Sequence, residues 1–231
     1  MNKLNIKRPF FMFNPKSYLY GKELLELAIE ADKQAEKYPE MSIFVTAPFA
    51  DIEMISKSTH NIIVTSQHMD GIIPGRGMGH ILPESLYNAG ARATFLNHAE
   101  QPLKLNEIIS SIQRANDLGI ITVLCADSIV EAKALAMLKP DIILCEPTEL
   151  IGTGKTSNAS YVEKTNSAIR EVDKNILIMQ AAGISTPEDV YNIIKMKADG
   201  TGCTSGITNA VNPKEMLVNM IEAAYEAFNN D

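Results

Sequence analysis

The sequence predicts an α/β protein in which eight parallel strands close into a (β/α)8 barrel. Three observations lead to this fold class. Short apolar runs recur along the chain, each about four or five residues long, as expected of strands buried on both faces. Longer segments with apolar residues at helical spacing separate them, and parallel strands need such crossovers. The 231 residues divide into eight units of roughly 29 residues, which is close to the size of a typical barrel.

Eight runs qualify as strands by length and apolar content. In chain order they are Phe10 to Phe13, Ile43 to Thr46, Ile62 to Thr65, Ala93 to Leu96, Ile120 to Leu124, Ile142 to Cys145, Ile176 to Met179 and Gly200 to Cys203. Strands that are apolar throughout indicate a sheet covered on both faces, so we expect helices around the outside.

Helix candidates lie between these strands. Apolar residues recur at helical spacing at Leu24, Leu25, Ala28 and Ile29, and again at Ile108, Ile109, Ile112 and Ala115. Other candidates are Ile129 to Leu138, Asn158 to Arg170, Pro187 to Lys195 and Pro213 to Phe228. An open, doubly wound sheet is the alternative architecture. No Ser/Gly linker, low-complexity segment or shift in composition interrupts the chain, so we expect one domain over residues 1–231.

One connection is long and irregular. Residues Gln67 to Leu82 are rich in glycine and carry Pro74 and Arg76. Long loops in compact domains are usually functional or lie between subunits. We therefore expect this loop to have a role beyond joining a strand to a helix.

Composition limits the classes of partner. Hydrophobic residues make up 45% of the chain and charged residues 21%, which is ordinary for a globular protein with a sizeable core. The formal net charge of −7 and the lack of a basic block argue against a nucleic-acid or anionic-membrane surface. A small phosphorylated ligand remains possible, because a few local donors can bind it.

Cysteine usage and hydropathy indicate a cytoplasmic protein. Cys125, Cys145 and Cys203 each fall at or next to the end of a candidate strand, and they show no CxxC spacing. We interpret them as free buried thiols in a reducing compartment. No apolar run approaches the ~20 residues of a membrane span, and the N-terminus lacks a signal-peptide pattern. The four histidines show no HxxxH or HxH spacing, so we expect no metal.

Reactive side chains follow the candidate strands. In a barrel, the loops after the strands form the active face. Asn14 and Lys16 follow the first strand, His98 and Glu100 the fourth, and Glu146 the sixth; Gly183 follows the seventh, and Thr204 and Ser205 the eighth. A cation, an imidazole, a carboxylate and two glycine-containing turns should therefore meet at one end of the barrel.

The stretch after Glu146 has the composition of a movable lid. Pro147 stiffens its start, and Gly152 and Gly154 permit a hinge near its end. A carboxylate held by a strand beside such a segment can act as an acid or a base. We expect residues 148–155 to move when the site is empty.

Several motifs together resemble the triosephosphate isomerase family in its shorter archaeal-type form. The motifs are Asn14-x-Lys16-x-Tyr18, Ala47-Pro48-Phe49, Gln67-His68-x-Asp70, Gly79-His80-x-Leu82-Pro83-Glu84, Leu96-Asn97-His98-x-Glu100, Glu146-Pro147-x-Glu149-Leu150-Ile151-Gly152-Thr153-Gly154 and Ser205-Gly206. They span the whole chain in collinear order. The resemblance implies a single-domain TIM barrel, a place in glycolysis and gluconeogenesis, and an aldose–ketose isomerase that interconverts dihydroxyacetone phosphate and D-glyceraldehyde 3-phosphate through an enediolate.

The resemblance also implies roles for individual residues. Glu146 is the expected base, His98 the electrophile that polarises the carbonyl, and Lys16 the fixed positive charge, with Asn14 beside it as an amide donor. Phosphate binding is expected at Gly152, Gly183, Thr204 and Ser205. Glu100 resembles a supporting acid behind these groups, or it is a salt-bridge partner of Lys16. No cofactor is implied, and the Gln67 to Leu82 loop should dock into a neighbouring subunit of a homo-oligomer, a dimer or a tetramer.

Three departures from the family pattern leave the substrate open. Met78 stands where a threonine is usual, Ala99 where a serine is usual, and Ala181 where a glycine is usual before the phosphate turn. The added methyl group at Ala181 restricts that turn to ordinary backbone angles. A phosphorylated tetrulose is thus an alternative substrate, a phosphosugar-binding protein without catalysis is an alternative function, and a Schiff-base aldolase using Lys16 is the weakest alternative.

Overall fold

Eight parallel strands form the closed barrel that the sequence predicts. The structure, a computed structural model, describes residues 2–147, 150 and 156–230. Neighbouring strands pair in chain order, and β1 closes the barrel against β8 through Phe10 to Phe13 opposite Gly200 to Cys203. The strands are β1 Phe10–Phe13, β2 Ser42–Ala47, β3 Ile63–Ser66, β4 Ala93–Leu96, β5 Ile121–Ala126, β6 Ile142–Cys145, β7 Leu177–Gln180 and β8 Gly200–Cys203. Closure rules out the open doubly wound sheet.

Helices alternate with the strands in the described part of the chain. They are α1 Gly21–Lys37, α2 Ile52–Ser58, α3 Pro83–Ala89, α4 Leu105–Leu118, α5 Ile129–Ala136, α6 Ala159–Val172, α7 Pro187–Lys195, α8 Ser205–Thr208 and α9 Pro213–Asn229. A 3-10 turn, Phe49–Asp51, precedes α2. No helix within the described residues is long and apolar enough to cross a membrane.

Local sequence signals set the ends of several helices. Pro187 begins α7 behind Thr186, whose side chain accepts a hydrogen bond from the Asp189 backbone N–H. Asn158 caps α6 in the same manner. At the other end, Gly119 follows α4 in the left-handed conformation that glycine adopts without a steric penalty. These helices therefore begin and end where the sequence has capping residues.

The core consists of two apolar layers. Alternate strand residues, among them Phe10, Met12, Phe44 and Leu144, pack together inside the barrel. The intervening residues, such as Phe11 and Ile43, pack against the helices. Because successive side chains of a strand point to opposite sides, an apolar strand supplies both layers. Cys125, Cys145 and Cys203 are free and buried, as predicted.

Two carboxylates, the partly buried Asp141 and the buried Asp199, fix the end of the barrel where the strands begin. Asp141 directly precedes β6 and accepts a hydrogen bond from the Thr122 backbone N–H at 2.7 Å. Asp199 directly precedes β8, accepts the Ile178 backbone N–H at 2.8 Å, and forms ion pairs with Arg8 and Arg170. These contacts tie together neighbouring strands far from the loops that follow them.

The Gln67 to Leu82 connection is irregular over its length, as predicted. It contains neither helix nor strand, and its root is closed by Asp70 and Ile81, which exchange two hydrogen bonds. The side chain of Met78, near its tip, is fully exposed. The loop is therefore closed at its root by hydrogen bonds and exposed near its tip.

Candidate active site

One cavity brings together the predicted reactive residues that the structure describes. It lies at the end of the barrel where the strands finish and has a volume of about 220 Å³. Asn14, Lys16, His98, Glu100, Glu146, Gly183, Thr204 and Ser205 all line it. Gly152 and the expected lid over residues 148–155 lie outside the described residues, except for Leu150.

Lys16 is held in an unusual backbone conformation. Its φ is 50°, in the left-handed region that an L-residue with a side chain rarely adopts. Asn14 Oδ1 accepts the Lys16 N–H at 3.0 Å, and Gln67 Nε2 donates to the Lys16 carbonyl at 2.7 Å. Two side-chain amides therefore stabilise this turn, and such strained residues cluster at functional sites.

The ammonium group of Lys16 forms an ion pair inside the cavity. Its Nζ lies 2.5 Å from Glu100 Oε1. The Lys16 side chain is only 17% exposed, whereas that of Glu100 is 62% exposed. Glu100 is thus a salt-bridge partner of Lys16, which is one of the two interpretations of this residue that the sequence left open.

His98 has its hydrogen-bonding roles fixed by the backbone. Its Nδ1 accepts a hydrogen bond from the Glu100 backbone N–H at 3.1 Å. A ring nitrogen that accepts cannot carry the proton, so in the neutral ring the proton is on Nε2. Burial, together with the nearby positive charge of Lys16, lowers the pKa of His98 below its ordinary value. The imidazole is therefore neutral at neutral pH, with its N–H available as a donor.

Glu146 stands opposite that donor. Its Oε2 lies 3.9 Å from His98 Nε2, and its side chain is 17% exposed. Burial raises the pKa of Glu146, although Lys16 opposes this effect. A carboxylate poorly solvated in this way is a stronger base than one in water, which suits the removal of a proton from carbon.

Two turns form the other side of the cavity. Gly183, after β7, has a φ of 70°, where a residue with a side chain would be strained. Ala181 is not among the residues with positive φ, in line with the expectation that its methyl group keeps ordinary backbone angles. Thr204 and Ser205 follow β8 directly. Turns of small residues such as these let a ligand approach backbone N–H groups closely.

The sequence patterns assign no role to several residues that line the site. Gln67 belongs to one of the family motifs, and it directly follows β3, so the position of reactive residues after strand ends could have indicated it. The apolar base of the cavity, formed by Met12, Phe95, Leu144 and Met179, was also missed. Strand alternation could have indicated it, since these residues occupy the inward-facing positions.

Nucleophilic thiol chemistry and a metal centre find no support among the described residues. Burial raises the pKa of Cys145 to about 12 and that of Cys203 to about 11, so both remain thiols at neutral pH. In the part of the chain that the structure describes, no group of three His, Cys, Asp or Glu side chains is arranged to hold a metal ion.

Comparisons with known proteins agree on one family. The family model described as "Triosephosphate isomerase" matches residues 9–224. The triosephosphate isomerase of Sulfurisphaera tokodaii is 35% identical over 226 residues, covering 96% of this chain and 98% of the relative. That of Methanocaldococcus jannaschii is 37% identical over 209 residues, with 88% and 95% covered. That of Methanobacterium bryantii is 36% identical over 226 residues, with 96% and 99% covered.

Proposed function

Because the chain belongs to the triosephosphate isomerase family, we propose that it interconverts dihydroxyacetone phosphate and D-glyceraldehyde 3-phosphate. The observation that carries this proposal is the meeting of Lys16, His98 and Glu146 in one cavity, with His98 Nε2 3.9 Å from Glu146 Oε2. An aldose–ketose exchange needs a base on one side of the substrate and donors for the oxygens on the other. This arrangement supplies both.

Glu146 is the base in this proposal. Its carboxylate removes a proton from the carbon beside the carbonyl, and the electron pair of that C–H bond forms the C=C bond of an enediolate. The carbonyl π electrons move onto oxygen. Glu146 then returns the proton to the neighbouring carbon, so no atom is gained or lost overall. The raised pKa of Glu146 favours this role because a proton taken from carbon is held more firmly.

His98 and Lys16 stabilise the charge that develops on oxygen. The Nε2–H of a neutral His98 donates to the enediolate oxygens and can exchange protons between them, and a neutral imidazole in this role is the established pattern of the family. Lys16 presents a fixed positive charge, held in place by Glu100 at 2.5 Å. Donors oriented before the reaction avoid the cost of reorganising solvent. Asn14 Oδ1 accepts a hydrogen bond from the Lys16 backbone N–H and so holds the backbone of that turn.

The phosphate group occupies the opposite side of the cavity. Gly183, Thr204 and Ser205 line that side and offer backbone N–H groups at turns of small residues. Gly152 belongs to the same proposal through the family resemblance, and it lies outside the described residues. Binding the phosphate fixes the reacting carbons relative to Glu146 and His98, which reduces the entropy lost on reaching the transition state.

Turnover of purified protein tests this function. The wild type should convert D-glyceraldehyde 3-phosphate into dihydroxyacetone phosphate, and Glu146→Gln should lose at least about 10²-fold in kcat, because the amide cannot accept the proton. Glu163→Gln is the matched control, since Glu163 is an exposed carboxylate on α6. A Glu146→Gln variant with full activity would refute the proposed base. Binding of phosphoglycolate by a wild type without turnover would instead favour the non-catalytic alternative.

A homo-oligomer, dimer or tetramer, completes the proposal. Its support is the Gln67 to Leu82 loop, whose Met78 and Ile73 side chains are exposed and apolar. A second cavity beside Lys16, lined in part by Phe49 and Gln67, offers a site for the same loop of a neighbouring subunit. Each protomer is proposed to be one domain over residues 1–231, located in the cytoplasm, where buried free thiols persist. Sedimentation of an active monomer would refute the oligomer.

A further inference from the structure

The base of the active-site cavity is apolar and comes from the barrel strands. Met12, Phe95, Leu144, Met179 and Gly202 lie there, on β1, β4, β6, β7 and β8. The polar groups around the cavity lie in the loops that follow the strands, whereas the apolar residues lie within the strands themselves. A substrate held by the polar groups therefore lies over an apolar base formed by the barrel interior.

Met179 closes that base by packing onto Gly202. A Cβ atom placed on Gly202 would lie 2.6 Å from Met179 Cε and 2.4 Å from the Met12 carbonyl oxygen, closer than real contacts allow. The terminal methyl group of Met179 thus rests in the space that a side chain on Gly202 would need. The side chain is only 3% exposed, and it packs with the other inward-facing strand residues.

The position of Met179 matters because the proposed function fixes the two ends of the substrate. The reacting carbons must reach His98 and Glu146, after β4 and β6, while the phosphate binds at the turns after β7 and β8. A phosphosugar with one more carbon between these ends cannot lie straight between them. It must bend, and bending toward the barrel interior brings its middle carbon against Met179.

We propose that Met179, packed on Gly202, sets the longest carbon chain that the site accepts. The inference rests on the proposed isomerase function and deepens it: the substrate class is three-carbon sugar phosphates, and four-carbon ketose phosphates are rejected by contact with Met179. A methionine is unbranched and adaptable, but moving this one would expose the space over Gly202 and lose its packing. A well-packed wall discriminates against an extra carbon by roughly 10- to 200-fold.

Two substrates and one small set of variants test the proposal. We would measure kcat/KM for D-glyceraldehyde 3-phosphate and for D-erythrulose 4-phosphate by proton NMR, which follows both conversions without coupling enzymes. Met179→Ala removes Cγ, Sδ and Cε, more than the CHOH unit that the longer sugar adds. The ratio of tetrulose to triose activity should rise by about tenfold or more. Met179→Leu keeps the bulk of the side chain and should leave the ratio near that of the wild type.

Ile142→Ala is the matched control. Ile142 belongs to the same layer of inward-facing residues but does not line the cavity, so it should lower stability without changing the ratio. A ratio for Met179→Ala within twofold of the wild type, or an equal change in Ile142→Ala, would overturn the inference. If Met179→Ala does not fold, Met179→Val replaces it in the test. This variant should raise the ratio of tetrulose to triose activity by a smaller factor. A wild type inactive on both sugars would refute the isomerase function itself, which is a distinct outcome.

Discussion

Replacing Lys16 with glycine should leave the protein more stable than replacing it with alanine, although both variants lose the ammonium group proposed to act in catalysis. The φ of 50° at this position is the reason. A left-handed conformation costs an L-residue roughly 1–2 kcal/mol, and glycine avoids this penalty. Glycine loses about 0.5–1 kcal/mol more chain entropy on folding than alanine does. The free energy of unfolding of Lys16→Gly should therefore exceed that of Lys16→Ala by about 1 kcal/mol.

The contacts that impose this conformation remain in both variants. Asn14 and Gln67 bind the backbone N–H and C=O of residue 16, which glycine and alanine also have. The ion pair with Glu100 is lost equally from both, and the largely exposed Glu100 carboxylate returns to water. Stability therefore separates the two variants, whereas activity should not. Loss of one oriented donor to the enediolate should lower kcat by roughly 10²–10³-fold in each.

Urea unfolding and turnover assays measure the two effects. Lys139 provides the control, because it is exposed, has a φ of 52°, and lies between α5 and β6 away from the cavity. Lys139→Gly should likewise be about 1 kcal/mol more stable than Lys139→Ala, with wild-type activity in both. Equal stabilities of Lys16→Gly and Lys16→Ala, alongside a clear difference at Lys139, would refute the claim that the Lys16 turn is strained.

Three further outcomes are expected. Burial raises the pKa of Glu146 in the folded protein, so the folded state loses stability as pH rises through that pKa. Glu146→Gln should therefore have a higher melting temperature than the wild type at pH 7. Near pH 3 both side chains are neutral, and a difference in melting temperature as large there as at pH 7 would contradict this explanation. Nitrogen NMR should find His98 as the neutral Nε2–H tautomer at pH 7, titrating below the ordinary value near 6.5, and a midpoint at or above that value would contradict the structure. Asp199→Asn should lower the unfolding free energy by about 1 kcal/mol, because the partly exposed Arg8 and Arg170 lose their partner but remain in contact with water. An unfolding free energy equal to that of the wild type, measured with urea, would argue against a stabilising ion pair.

The sequence predicts the architecture because strand and helix periodicities differ clearly in this chain. All eight strand candidates overlap strands of the barrel, and four of them, including Phe10–Phe13, match from end to end. The ends of the others differ by one or two residues. The run Ile62 to Thr65 is the third candidate, for example, whereas the strand observed there begins at Ile63 and ends at Ser66. Polar residues at the ends of strands pair with their neighbours as readily as apolar ones do, and hydropathy alone does not detect them. The short helices α2 and α3 did not stand out, since seven residues contain too few turns to establish a period.

The reactive residues were predictable for a different reason. In a barrel the ends of all strands converge, so placing Lys16, His98 and Glu146 after their strands was enough to predict one cavity. Contacts within that cavity were not predictable. Nothing in the sequence indicates that Gln67 reaches the Lys16 carbonyl, because the connection depends on the lateral arrangement of β1 and β3 and on a left-handed turn. The packing of Met179 onto Gly202 likewise depends on the register between neighbouring strands.

Glu100 contacts two residues of the site in two different ways, which is why the sequence leaves its role ambiguous. Its carboxylate binds Lys16 Nζ, while its backbone N–H donates to His98 Nδ1. One residue thus orients both groups that are proposed to face the substrate oxygens. It orients the lysine through its side chain and the histidine through its main chain. The side chain holds a positive charge in place, and the main chain keeps the imidazole neutral with its proton on Nε2. Because a backbone N–H is present in every residue except proline, only the first of these two functions depends on residue 100 being glutamate. The loop after β4 therefore fixes His98 through its backbone conformation, and it fixes Lys16 through the carboxylate of Glu100.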